Sequence, residues 1–102
     1  MEQEKMVELN SIIHQPVRLK IMSSLAALQL GDQVEFTYLK KVLKLTDGNL
    51  GAHLGKLEQQ QYIVIEKSFV NKKPKSFISL TRKGKKAFEN HLEALNEIIN
   101  PD

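Results

Sequence analysis

The sequence predicts a small α+β domain, mainly helical, in which two closely spaced helices precede a single β-hairpin. Three observations lead there. Leu50, Leu54 and Leu57 recur at i, i+4 and i+7 just after Thr46, the stripe of an amphipathic helix with a hydroxyl at its start. From residue 62 the period shortens to two, over Tyr62, Ile63, Val64 and Ile65 and again over Phe77, Ile78 and Leu80. The stretch between them carries lysines and a proline, so the two runs read as a hairpin. Beyond Thr81 a helical stripe returns with Phe88, Leu92, Leu95 and Ile99.

The remaining elements follow in order. Met6, Leu9, Ile12 and Ile13 have mixed helical spacing and predict a first helix over 2–14. Pro16 interrupts it and is suited to open a second helix, expected over 16–30 with Val17, Ile21, Leu25 and Leu28 inward, Met22 alongside, and Arg18 and Lys20 outside the stripe. Gly31 and Asp32 end it. Residues 33–36 suit a short strand. Thr37 is placed to cap a third helix over 38–44, with Leu39, Val42 and Leu43 inward. The link through Leu45 and Thr46 is very short, so this helix and the next, over 47–61, must cross steeply as a helix-turn-helix. Strands are expected over 62–69 and 75–80 with a lysine-rich turn over 70–74 between them. Thr81 caps a last helix over 82–99, and Pro101 lies beyond it.

At 102 residues the chain is one domain, 1–102, by the usual size range. It is short for an enclosed catalytic cavity, and its serines and acids form no local nucleophile motif, so an enzyme is not expected. There is no cysteine. His14, His53 and His91 fall on separate elements without the i, i+4 spacing of a helical metal site. No metal and no cofactor are expected. The acidic N-terminus has no continuous apolar run, which reads as neither a leader peptide nor a membrane span and makes a cytoplasmic location the default.

Charge is unevenly placed. Between residues 66 and 86 there are eight basic residues and one acid, while the whole chain carries a net +3. A basic block on a mildly acidic body suits a polyanionic partner, and equally a solvated surface.

A helix-turn-helix followed directly by a basic hairpin is the order of a winged helix. The segment from Ile13 to Ile21 (Ile-His-Gln-Pro-Val-Arg-Leu-Lys-Ile), Phe36-Thr37-Tyr38-Leu39-Lys40, Leu45-Thr46-Asp47-Gly48-Asn49-Leu50, His53-Leu54, Leu57 and Leu80-Thr81-Arg82-Lys83-Gly84 resemble the small winged-helix transcriptional regulators of bacteria and archaea, akin to the MarR and ArsR groups. The likeness runs over about 9–95, and Thr46 to Leu50 is its most specific part. It implies sequence-specific binding of double-stranded DNA as a homodimer, with no membrane partner. A small-molecule effector is compatible with the MarR likeness, although no residue names one. The alternative is a winged helix used for protein–protein contact alone.

The candidate DNA-contacting residues are Thr37, Tyr38, Lys40, Thr46, Gly48, Asn49, Gly51, Ala52, His53, Lys56, Gln59, Lys72, Lys73 and Lys75. On the helix over 47–61, Asn49, His53, Lys56 and Gln59 are long enough to reach bases or phosphates. Gly48, Gly51, Ala52 and Gly55 leave its outer side thin, which suits close docking to a backbone. Asp47 would be repelled by phosphate and suits the positive end of the helix dipole. Lys72, Lys73 and Lys75 are expected at the hairpin tip, where they can hold phosphates or keep an exposed hairpin from pairing with neighbours. Thr37, Tyr38 and Lys40 begin the preceding helix, a start that favours phosphates, although Tyr38 also suits the core. Arg18 suits either a phosphate or an internal salt bridge. Met6, Leu9, Ile13, Phe88, Leu92, Leu95 and Ile99 form two apolar stripes that one small core cannot easily cover, which points to a two-fold dimer through the terminal helices.

Overall fold

The computed structural model describes residues 8–101. Its elements are α1 (Pro16–Ala26), β1 (Gln33–Glu35), α2 (Phe36–Leu43), α3 (Asp47–Gln59), β2 (Ile63–Val70), β3 (Lys73–Leu80) and α4 (Arg82–Ile99). The three strands form one antiparallel sheet in the order β1-β3-β2. The architecture is the expected mainly helical α+β winged helix.

Residues 8–14 correct the expected first helix. The Asn10 carboxamide oxygen accepts the N–H groups of Ile12 and Ile13 at 2.9 and 3.1 Å, and His14 N–H returns to the Asn10 carbonyl. That side chain competes with a helix for the same donors and folds a turn instead. Residues 2–7 of that expectation, Met6 among them, lie outside the described residues.

α1 begins as expected, with proline in its first turn and the Gln15 side chain accepting Arg18 N–H at 2.8 Å. It ends four residues before the expected 30. Asp32 accepts Gln29 N–H through its carboxylate and donates its own N–H to the Gln29 carbonyl, and Gly31 takes φ +98°. This turn draws the chain away from the helix axis and leaves Leu28 exposed. The buried face of α1 is Arg18, Ile21, Met22 and Leu25. Arg18 therefore lies on the inner face, against expectation.

α2 starts two residues early, at Phe36, with Glu35 as its N-cap and no side-chain cap bond. Thr37 is inside the helix, not before it, and donates its hydroxyl to Glu35 Oε2 at 2.8 Å. Leu39 is buried and Leu43 half-buried, but Val42 is exposed. The helix closes with a Schellman pattern: Leu45 N–H reaches the Lys40 carbonyl and Lys44 N–H the Lys41 carbonyl. Lys44 carries the left-handed conformation, φ 57°, that glycine usually takes. α3 follows at once, capped by the Thr46 hydroxyl, which accepts Asn49 N–H at 3.1 Å. Leu50, Leu54 and Leu57 are its buried face. Each is worth roughly 1.5–3 kcal/mol of burial.

In the hairpin, Val70 pairs with Lys73, so the turn is only Asn71 and Lys72. Both have positive φ, 55° and 66°, the type I′ geometry that matches strand twist. The tip is thus tighter than expected: Lys73 and Pro74 lie in β3, and Lys75 faces Ser68 along the strand, away from the tip. α4 is capped by Thr81, whose hydroxyl accepts Gly84 N–H at 2.9 Å and donates to the Gln61 or Tyr62 carbonyl. A Cβ on Gly84 would sit 2.0 Å from the Tyr62 carbonyl oxygen, so only glycine lets α4 start this close to the end of α3.

The core runs between α1, α3, the sheet and α4. It contains Ile13, Ile21, Met22, Leu25, Leu39, Leu50, Leu54, Leu57, Ile63, Ile78, Leu80 and Phe88. Among the described residues no helix is long and apolar enough to cross a membrane.

Candidate nucleic-acid interface

With its leucines inward, α3 presents Gly48, Asn49, Gly51, Ala52, Lys56 and Gln59 as exposed residues. A Cβ built on Gly48, Gly51 or Gly55 would meet nothing within 4 Å. Among the described residues nothing requires these three glycines. Asn49, His53 and Lys56 stand at i, i+4 and i+7 along one edge of this thin face. Asp47 interacts with the helix start and also pairs with Lys40 at 2.9 Å, tying α3 to α2. Lys40 is thus partly engaged within the protein. Thr46 is exposed, with its hydroxyl oxygen used by the cap.

His53 sits at the seam between the thin face and the core and is half-buried. Its Nδ1 lies 3.0 Å from an Arg18 terminal nitrogen. Arg18 is only 9 % exposed. Its Nε donates to the Ile12 carbonyl at 2.5 Å, and among the described residues no carboxylate lies within salt-bridge distance of it. Burial, then the nearby charges of Arg18 and Lys56, hold the His53 pKa below its ordinary value. The neutral ring is favoured.

The start of α2 and the outer half of β3 share one groove. Thr37, Lys73 and Lys75 line one groove of 390 Å³, together with Glu35, Phe36, Pro74 and Ser76. Within it Lys75 is bound to Glu35 at 3.0 Å. The bonds from Lys75 and then Thr37 hold the Glu35 carboxyl below the usual carboxylate range. Lys75 is therefore an internal partner first, whereas Lys72 and Lys73 are exposed and without a salt bridge among the described residues. Tyr38 is 60 % exposed, which removes the core alternative. Phe69, beside the wing tip and 76 % exposed, was not singled out by its sequence; its place at the lysine-rich end of a strand was the available sign.

The residues expected to form a dimer surface divide. Ile13 and Phe88 are buried in the chain's own core and leave nothing for a partner. Leu9 and Leu95 are half-buried. Leu92, Ile98 and Ile99 are exposed at 45 %, 63 % and 70 %, an apolar surface along α4. On its inner side α4 buries Gly84, Phe88, His91 and Ala94. His91 Nδ1 accepts the Asn10 N–H at 3.0 Å, so its neutral ring carries the proton on Nε2, 3.3 Å from His14 Nδ1. The Asn10 carboxamide also donates to the Tyr62 hydroxyl at 2.9 Å. Burial, then the proximity of His14, lowers the His91 pKa. No signal in the sequence joined these four residues, because their contacts are long-range.

A helix-turn-helix with an exposed second helix, flanked by a basic hairpin, defines a winged-helix domain. Residues 17–99 match the family model described as winged helix DNA-binding domain, and the chain belongs to that family. It is 42 % identical over 81 residues to an uncharacterised protein of Methanocaldococcus jannaschii, covering 79 % of this chain and 85 % of that protein. Its structure is similar to that of a transcriptional regulator homologue from Pyrococcus horikoshii OT3, with TM-score 0.81, 29 % identity, and 90 % and 88 % of the two chains covered. It is also similar in fold to the YusO protein of Bacillus subtilis, with TM-score 0.70, 18 % identity, and 89 % and 62 % covered.

Proposed function

We propose that this chain is a transcriptional regulator that reads double-stranded DNA as a homodimer, with α3 in the major groove and the wing along the phosphates. The observation that carries this reading is the thin face of α3. Its glycines cost helix stability, about 1 kcal/mol each relative to alanine, and among the described residues no neighbour needs the space. A DNA backbone or groove wall does. Asn49, Lys56 and Gln59 flank that face, and Lys72 and Lys73 at the wing tip supply positive charge that is without a salt bridge among the described residues. The transcriptional regulator homologue from Pyrococcus horikoshii supports the regulatory part, as does the MarR- and ArsR-like pattern of residues.

With few large donors on α3, phosphate contacts and DNA shape carry a greater share of recognition than dense base pairing does. The exposed Leu92, Ile98 and Ile99 on α4 form the two-fold contact, and the dimer reads half-sites about 34–36 Å apart or a multiple of that. The whole described chain acts as one DNA-binding domain.

Selection of bound duplexes from a random pool tests this directly. A recurrent two-fold site is the expected result. The binding constant of the selected duplex should fall linearly in log K against log salt, with a slope near −0.9 per phosphate neutralised. No binding to any duplex at low salt would sink the proposal.

A further inference from the structure

Resting on that reading, we infer that Arg18 is a positioning residue for DNA recognition: it fixes His53 as the neutral Nε2–H tautomer, so that the ring presents one hydrogen-bond donor from the edge of α3 to an acceptor on the DNA. A guanidinium can only donate. Its contact with His53 Nδ1 at 3.0 Å therefore makes Nδ1 the acceptor, and the ring's single proton belongs on Nε2. That second nitrogen is open to solvent. It has no hydrogen-bond partner among the described residues, and among those residues no buried side-chain nitrogen or oxygen lacks a partner.

Arg18 is itself held. Its Nε is bound to the Ile12 carbonyl, its backbone N–H to the Gln15 side chain, and its stem lies on the buried face of α1 beside Ile21 and Met22. The ring it supports is thus fixed in orientation as well as in tautomer. Asn49 and Lys56 flank His53 at i−4 and i+3, and all three can donate. This edge suits acceptors: the N7 and O6 atoms of guanine, the N7 of adenine, or a phosphate oxygen. An unsupported histidine would divide its population between tautomers and rotamers, and only part of it would offer the donor.

The test has two parts. The tautomer is read from the imidazole nitrogen shifts of His53 in the free wild-type protein by nuclear magnetic resonance. A protonated Nε2 with an unprotonated Nδ1 is expected, and the opposite tautomer overturns the proposal without any DNA present. The second part is a double-mutant cycle on duplex affinity with Arg18→Gln and His53→Ala, each checked for folding by its thermal melt. Each single change should weaken binding about three- to tenfold, the scale of one hydrogen bond. In the His53→Ala background, Arg18→Gln should cost nothing further. A cost that persists there means that Arg18 acts through the fold at large and overturns the role. So does a His53→Ala variant that binds like the wild type. Loss confined to the selected duplex identifies a base edge as the acceptor, and equal loss on an unrelated duplex identifies a phosphate. Failure of the wild type to bind any duplex overturns the DNA reading and this role with it, whereas wild-type binding without coupling overturns this role alone.

Discussion

Two helices in this molecule use glycine in opposite settings. At the start of α4, Gly84 is buried, and an added methyl group would strike the Tyr62 backbone. In α3, Gly48, Gly51 and Gly55 face open space. The first glycine serves the fold. The other three cost helix stability without a packing contact among the described residues, a cost that the proposed DNA contact would explain. One residue type thus marks both a tightly packed helix start and the open helix face that the proposed function assigns to DNA.

The largest effect that tests this contrast is Gly84→Ala. It should destabilise the domain by about 2–3 kcal/mol, because the contact is with backbone that cannot step aside; the thermal melt measures it. Replacing Gly48, Gly51 and Gly55 together with alanine should move stability the other way, by up to about 1 kcal/mol per site, while duplex affinity falls. A triple variant that gains stability and keeps full affinity would erase the distinction between the two regions. Alanine at Lys72, Lys73 and Lys75 should weaken binding to all sequences and flatten the salt slope by about two contacts' worth. The expected change is less than three because Lys75 is already held by Glu35. Leu92→Glu should leave the fold intact, since Leu92 is 45 % exposed, and turn a dimer into a monomer in sedimentation. A folded variant that stays dimeric removes α4 from the interface.

The smallest expected effect is on pH dependence. His91 and His53 have lowered pKa values in the folded chain, so the unfolded chain binds protons first as pH falls. Their contribution to stability is complete above the ordinary histidine value of about 6.5 and is lost progressively below it, down to the folded values. Melting temperature should therefore begin to drop below neutrality, before carboxylates such as Glu35 titrate. The Asn10 N–H bond to His91 Nδ1 is what protonation of that ring removes.

Much of the fold is written locally. Thr46 and Thr81 cap the helices where their hydroxyls predict, and the leucine stripe of α3 and the change to a two-residue period fall where they should. Asn10 folds residues 8–14 into a turn through side-chain bonds that no periodicity records. Val42 is exposed on α2 while Leu39 is its buried anchor. Arg18 was in fact legible, standing at i−3, i−4 and i−7 from Ile21, Met22 and Leu25; its charge masked its spacing. Of the candidate interface, Asn49, Lys56, Gln59 and Lys72 are exposed on the elements expected to carry them, and Lys73 is exposed at the start of β3. The partners of Lys40, His53 and Lys75 were not legible, because Asp47, Arg18 and Glu35 meet them only through the tertiary arrangement.

The three-residue strand β1 has a consequence for how the molecule opens. Val34 pairs with Ile78, and the whole helix-turn-helix lies in the loop between them. The β2–β3 hairpin can form by itself through a two-residue turn, but the pairing of β1 waits until that long loop has closed. Amide hydrogens at the outer end of the hairpin, near Phe69 and Pro74, should then exchange through local fraying. Those that join β1 to β3 should exchange only when the domain unfolds as a whole. The small strand thus acts as a clasp between the helical body and the inner half of the wing, leaving the tip beyond the Lys75–Glu35 pair free to adjust its shape.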